Sequence, residues 1–151
     1  MTSEKVKRAM IGDWGSRDTQ FMKVNQRVRE RLLGIVNGQG THVTIPLQGS
    51  GTFVVEAMLN TFIPRNGKVL VLVNGEYGER MAKICRQMDR KVCISQTEEN
   101  VPNSLEDLEK ILEQDLQISH VAAVYCETTT GMRNPISDVW ERFLKKIWLE
   151  F

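Results

Sequence analysis

No apolar run in this chain comes near the ~20 consecutive residues that a membrane-spanning helix requires. Charge of one sign is also missing, since 20 Lys and Arg stand against 19 Asp and Glu, spread along the sequence. That balance argues against the basic footprint of a nucleic-acid or anionic-membrane binder. Histidine is scarce: His42 and His120 lie far apart, and neither stands at metal-ligand spacing to a cysteine, so zinc is not expected. Cys85, Cys93 and Cys126 form no CxxC pair. An odd, scattered set inside apolar segments fits reduced thiols in a cytoplasm-like compartment, not a disulfide framework. The opening stretch MTSEKVKRAM is polar and charged, unlike a signal peptide; a cytoplasmic location is expected, with a mitochondrial one the alternative for a eukaryotic source although no targeting segment is seen. These exclusions leave a soluble, near-neutral intracellular globular chain of 151 residues.

What is present alternates strand and helix. Short β-rich runs occur at 42–47 (HVTIPL), 68–73 (KVLVLV), 91–95 (KVCIS) and 120–126 (HVAAVYC). Nearly continuous apolar strands of this length are expected where helices cover both faces of a sheet. Helical patterns lie between them. Residues 51–62 are apolar almost all round, which predicts deep burial. Residues 78–88 place Met81, Ala82, Cys85 and Met88 on one face. Residues 104–116 open on Ser104, a good N-cap, and carry Leu105, Leu108, Ile111, Leu112 and Leu116 on a stripe. Two further helices are expected at 3–10 and 19–36, joined by a polar, glycine-bearing loop at 12–18 that suits a cover. A tail helix at 137–151 has Val139, Trp140, Phe143, Leu144, Ile147, Trp148 and Phe151 at helical spacing. The alternation predicts an α/β fold with a largely parallel sheet and helices on both faces.

Three loops carry residues capable of chemistry. Gln48-Gly49-Ser50-Gly51-Thr52 opens a helix, where unpaired N–H groups, the dipole and close backbone approach suit an anion. It is neither a dinucleotide fingerprint nor a Walker loop, and it serves equally well as a plain strand-to-helix turn. Asn74-Gly75-Glu76-Tyr77-Gly78 follows a strand, and Tyr77 either shows its ring to a planar ligand or packs on the helix behind it. Glu127-Thr128-Thr129-Thr130-Gly131-Met132-Arg133-Asn134-Pro135 offers hydroxyl donors at a strand end, or simply a β-prone loop closed by an Asn-Pro turn. The combination says more than its members. In a parallel sheet these loops converge on one edge, bringing an anion cradle, an aromatic plate and a hydroxyl cluster together. That set fits a phosphorylated planar cofactor.

Read in order, LQGSGTFVVEAML, VLVNGEYGERM and ETTTGMRNPI resemble the class V aminotransferases, fold type I enzymes that use pyridoxal 5'-phosphate. Within the class the triple Thr with Gly, Asn and Pro resembles the branch that moves the amino group of 2-aminoethylphosphonate to pyruvate, giving phosphonoacetaldehyde and L-alanine. Alanine–glyoxylate and serine–pyruvate enzymes of the same class are the alternative, against which the Thr128–Thr130 triplet counts. The resemblance implies that Ser50, Gly51 and Thr52 bind the cofactor phosphate. It implies that Tyr77 stacks on the pyridine ring and that Thr128 contacts the cofactor near its phenolic oxygen. It also implies a homodimer with the active site at the interface, and a small-molecule amino donor and 2-oxo acid as partners. Arg17, in the 12–18 loop, is a candidate for the phosphonate, with a surface ion pair as the alternative.

The resemblance runs from about residue 3 to 139, so residues 1–139 read as an incomplete large domain and 140–151 (WERFLKKIWLEF) as a divergent helix. The family's pyridinium aspartate and cofactor lysine are expected beyond the last residue present. None of Lys68, Lys83, Lys91, Lys110, Lys145 and Lys146 stands in a setting like that lysine's. No catalytic residue is therefore assigned, and the 151 residues are not expected to transaminate. The alternative is a non-catalytic module that pairs with a full-length subunit or another partner.

Overall fold

The computed structural model describes residues 1–148. They fall into two compact units, divided between Gln48 and Gly49. The first holds two helices, α1 (Glu4–Ala9) and α2 (Thr19–Ile35). Ser3 caps α1 by accepting from the Val6 N–H at 3.4 Å, and Asp18 takes the Gly15 N–H at 2.8 Å in the turn that leads into α2. The expected strand at 42–47 is not formed. This segment is irregular, and Val43 and Ile45 are exposed. A strand needs a neighbour to complete its backbone hydrogen bonds, and no segment pairs with this one among the described residues.

The second unit runs α3 (Gly51–Phe62), β1 (Lys68–Val73), α4 (Glu76–Gln87), β2 (Lys91–Gln96), α5 (Leu105–Gln114), β3 (Ile118–Ala122), the short pair β4 (Cys126–Glu127) and β5 (Met132–Arg133), then α6 (Ile136–Trp148). The order β2-β1-β3 puts β1 in the centre, parallel to both neighbours. Strand alternation then builds two apolar layers. Val69, Val71 and Val73 face Leu59, Ile63, Met81, Ala82 and Cys85 from α3 and α4. Leu70 and Leu72 face Leu108 and Leu112 of α5 and Val139 of α6. Each such side chain, fully removed from water, contributes on the order of 2 kcal/mol. The helices on both faces are thus as expected.

Three further features depart from the sequence reading. Helix α3 is not deeply buried: Leu59 and, just past its end, Ile63 are enclosed, while Phe53, Val54, Met58 and Phe62 are exposed. An all-round apolar helix needs covering elements on every side, and among the described residues of this unit α4 and the sheet leave much of it open. The last long strand is Ile118–Ala122, starting and ending earlier than 120–126, because the chain then leaves the ladder for β4. Leu116 is 70% exposed, since α5 ends at Gln114 and the stripe ends with it. In α6, Val139 is buried and Phe143 packs beside it, while Trp140 is 59% exposed. An Arg142–Glu109 ion pair ties α6 to α5. The boundary expected after Val139 falls inside helix α6 (Ile136–Trp148). The side chains of Ile147 and Trp148, and all of residues 149–151, lie outside the described residues.

Candidate functional site

The carboxyl ends of β1 and β3 and the amino end of α3 frame the site. At α3, Ser50 is the N-cap, and its Oγ accepts from the Phe53 N–H at 3.3 Å. The first intrahelical bond runs from the Val54 N–H to the Ser50 carbonyl at 3.2 Å. The N–H groups of Gly51 and Thr52 precede it and have no intrahelical acceptor. Gly49, at φ 153°, needs its missing side chain: a Cβ there would stand 2.7 Å from a Phe53 ring carbon. A Cβ on Gly51 would meet nothing within 4 Å, so the helix end is open to approach. An anion fits there on geometry and on the sign of the helix dipole.

Tyr77 lies in the first turn of α4 and is 41% exposed. One turn on, the Arg80 guanidinium sits 5.2 Å from the centroid of the Tyr77 ring, and its Nη1 donates to Thr52 Oγ1 at 3.4 Å. Gly51, Thr52, Tyr77 and Arg80 line one cavity of about 350 Å³, with Val55, Met58, Met81, Ala123 and Val124 as its apolar wall. Its composition pairs donors and a cation at one end with apolar surface for a flat ring.

The third loop is fastened to the second by buried polar groups. Glu127 is 0% exposed. Its carboxylate accepts from the N–H groups of Tyr77 and Gly78 at 3.4 Å, and from the Thr129 hydroxyl at 2.8 Å and N–H at 3.4 Å. Asn74 and Asn134, both buried, are joined side chain to side chain, and Asn134 Nδ2 also donates to the Val124 carbonyl at 2.8 Å. Asn103 donates to the carbonyls of Val73 and Ser95, at the ends of β1 and β2.

Of the residues singled out from sequence, Gly51, Thr52 and Tyr77 therefore share a cavity, and Ser50 caps the helix that presents the first two. Thr128 is exposed, next to the buried Glu127. Arg17 is exposed in the turn before α2, in the first unit. Sequence reading missed Arg80, although three residues after Tyr77 on a helix is the same face. It also passed over Glu127 and Asn74, whose signal is a polar side chain at the end of a run of otherwise apolar strand residues. No lysine lines the cavity among the described residues. No group of His, Cys, Asp and Glu there could hold a metal, and no helix there is long and apolar enough to cross a membrane.

No protein-family model matches the chain. Among solved structures it superposes on alanine–glyoxylate aminotransferase from Nostoc sp. with a TM-score of 0.84 and 27% identity, covering 95% of this chain and 38% of that one. The fold is that of a class V aminotransferase large domain, present in part. Sequence narrows the class. The chain is 52% identical over 149 residues to the 2-aminoethylphosphonate–pyruvate transaminase of Pseudomonas aeruginosa (strain UCBPP-PA14), covering 97% of this chain and 40% of the relative. To that of Pseudomonas entomophila (strain L48) it is 46% identical over 138 residues, covering 91% of this chain and 38% of the relative. The chain spans about two-fifths of the length of the 2-aminoethylphosphonate–pyruvate transaminases it matches.

Proposed function

We propose that these residues form the phosphate and ring half of a pyridoxal 5'-phosphate site in a transaminase that moves the amino group of 2-aminoethylphosphonate to pyruvate. The observation that carries this reading is the single cavity shared by Gly51, Thr52, Tyr77 and Arg80. Pyridoxal 5'-phosphate, when bound, supplies the electron sink through which an amino group leaves one carbon skeleton and joins another. The chain's own residues do the holding. The N–H groups of Gly51 and Thr52, the hydroxyls of Ser50 and Thr52 and the Arg80 guanidinium take the phosphate. The Tyr77 ring lies against the pyridine, and the Thr128 hydroxyl meets the phenolic oxygen. Arg17 is the candidate for the phosphonate, and a second copy of the whole protein is the expected partner.

Titration calorimetry with pyridoxamine 5'-phosphate, which cannot condense with lysines, tests the reading on the 151-residue chain. One saturable site is expected, with pyridoxamine lacking the phosphate bound at least tenfold more weakly, as loss of a charge-assisted contact implies (~1.5–3 kcal/mol). Equal affinity for the two, or none for either, contradicts it. With no lysine at the cavity among the described residues, 2-aminoethylphosphonate, pyruvate and pyridoxal 5'-phosphate should yield no L-alanine above a protein-free control.

A second reading, a binding module that pairs with a larger subunit, rests on the exposed Phe53, Val54, Met58 and Phe62 of α3. A patch of such side chains on one helix marks a covered face in a larger assembly. It is compatible with the first reading and differs from it in requiring no cofactor.

A further inference from the structure

We propose that Glu127 is the positioning residue that fixes the Tyr77 ring against the cofactor, acting through the first turn of α4. The proposal rests on the cofactor reading above and adds a residue that reading does not use. Helix α4 begins without a cap of its own, because the N-cap is Gly75 and it has no side chain to accept a hydrogen bond. Tyr77 and Gly78 are the second and third residues of the helix, so their N–H groups have no intrahelical acceptor. Glu127, 50 residues further along the chain from Tyr77, supplies both oxygens: Oε1 accepts from Tyr77 and Oε2 from Gly78, each at 3.4 Å.

The carboxylate is itself oriented. The Thr129 hydroxyl donates to the same Oε1 at 2.8 Å, and the Thr129 N–H adds a contact at 3.4 Å. A fully enclosed carboxylate at the positive end of a helix dipole is held by charge as well as by geometry. Gly75 is what lets it in. A Cβ on Gly75 would lie 2.5 Å from Glu127 Cγ and 2.9 Å from Thr129 Oγ1. The ring that faces the cavity and the loop that carries Thr128 are therefore set by one side chain, while the Gly51 and Thr52 N–H groups at the anion end belong to α3, which Glu127 does not hold.

That separation makes the test. Circular dichroism in the absorption band of bound pyridoxamine 5'-phosphate reports ring placement, and competition by inorganic phosphate reports the anion end. In Glu127→Gln, which keeps shape and removes charge, the induced band should shrink severalfold. Affinity for pyridoxamine 5'-phosphate should fall about five- to tenfold, the size of one ring-stacking contact, with phosphate affinity within about twofold of the original. An unchanged band and affinity overturn the proposal. So does an equal fall for phosphate and pyridoxamine 5'-phosphate, which would mean general loosening. Should Glu127→Gln lose its far-ultraviolet signal, Thr129→Val decides by the same two readouts, with a smaller effect of about threefold. If the unaltered chain binds neither probe, the cofactor reading fails and this proposal falls with it. If it binds both and the variants match it, only this proposal fails.

Discussion

Asn74 and Asn134, 60 residues apart in sequence, exchange two side-chain hydrogen bonds, Asn74 Nδ2 to Asn134 Oδ1 at 2.7 Å and Asn134 Nδ2 to Asn74 Oδ1 at 3.1 Å. Both are buried, 1% and 5% exposed. They join the end of the central strand to the far side of the loop that begins at Glu127. Removing one amide takes the donor from the other's buried Oδ1, while its Nδ2 keeps a bond to the Val124 carbonyl (Asn134) or the Val101 carbonyl (Asn74); an acceptor stranded in this way costs about 1–3 kcal/mol. Asn74→Ala and Asn134→Ala should each lower the urea unfolding midpoint accordingly. The double variant should lose less than the two losses added, because the second change removes the group the first had stranded. Additive losses would show that the pair does not act as a unit.

Gly75→Ala tests the close approach of Glu127. With Glu127 Cγ 2.5 Å from the added carbon, the carboxylate must leave the end of α4. A destabilisation of about 1–3 kcal/mol is expected from overpacking alone. Amide exchange at Tyr77 and Gly78 should quicken in step, whereas amides in β1 should keep their protection. Undisturbed exchange at those two amides would contradict the contact.

Arg80→Ala tests the charge at the anion end. The guanidinium reaches Thr52 Oγ1 from the same helix face as Tyr77. Its removal should weaken phosphate-bearing ligands about tenfold, the lower end for a charged hydrogen bond at a solvent-open site, and leave pyridoxamine unaffected. Arg80→Lys should restore only part, since a point charge lacks the planar fork. Equal weakening of pyridoxamine would assign Arg80 to the ring instead.

Much of this architecture was legible in the sequence, and the misses have physical causes. The central strand, its valine and leucine alternation and the faces of α4 and α5 follow from residue period, because each period matches one buried face. The 42–47 run failed because β character does not supply a pairing partner. Burial of α3 failed because an apolar helix records only that it can be covered, not that anything in reach covers it. At the site, Gly51, Thr52 and Tyr77 could be read from loops at strand ends. Arg80 became visible only when the helix face carrying Tyr77 was set beside Thr52. Glu127 required knowledge of which helix end its strand would meet.

Cys85 gives a pH signature. Burial pushes its thiol above the ordinary range, with the Arg90 charge pulling partly the other way. The folded state therefore keeps the proton where the unfolded chain loses it. The stabilisation is complete below the ordinary thiol pKa (~8.5) and fades as pH rises through the raised folded value. Urea midpoints of the original chain should fall more steeply between about pH 8 and 10 than those of Cys85→Ala. Parallel slopes would contradict this. Under a thiol reagent at neutral pH, exposed Cys126 should react first and enclosed Cys85 last.

The phosphorus resonance of pyridoxamine 5'-phosphate bound to the 151-residue chain tests the central claim most directly. Held by the α3 amino end and Arg80, the phosphate should stay a dianion, so its chemical shift should move on binding and stay flat below about pH 6, where the free ligand titrates. Thr52→Val with Arg80→Ala should return it to the free ligand's curve. A resonance that titrates like free ligand at saturating protein would contradict the account.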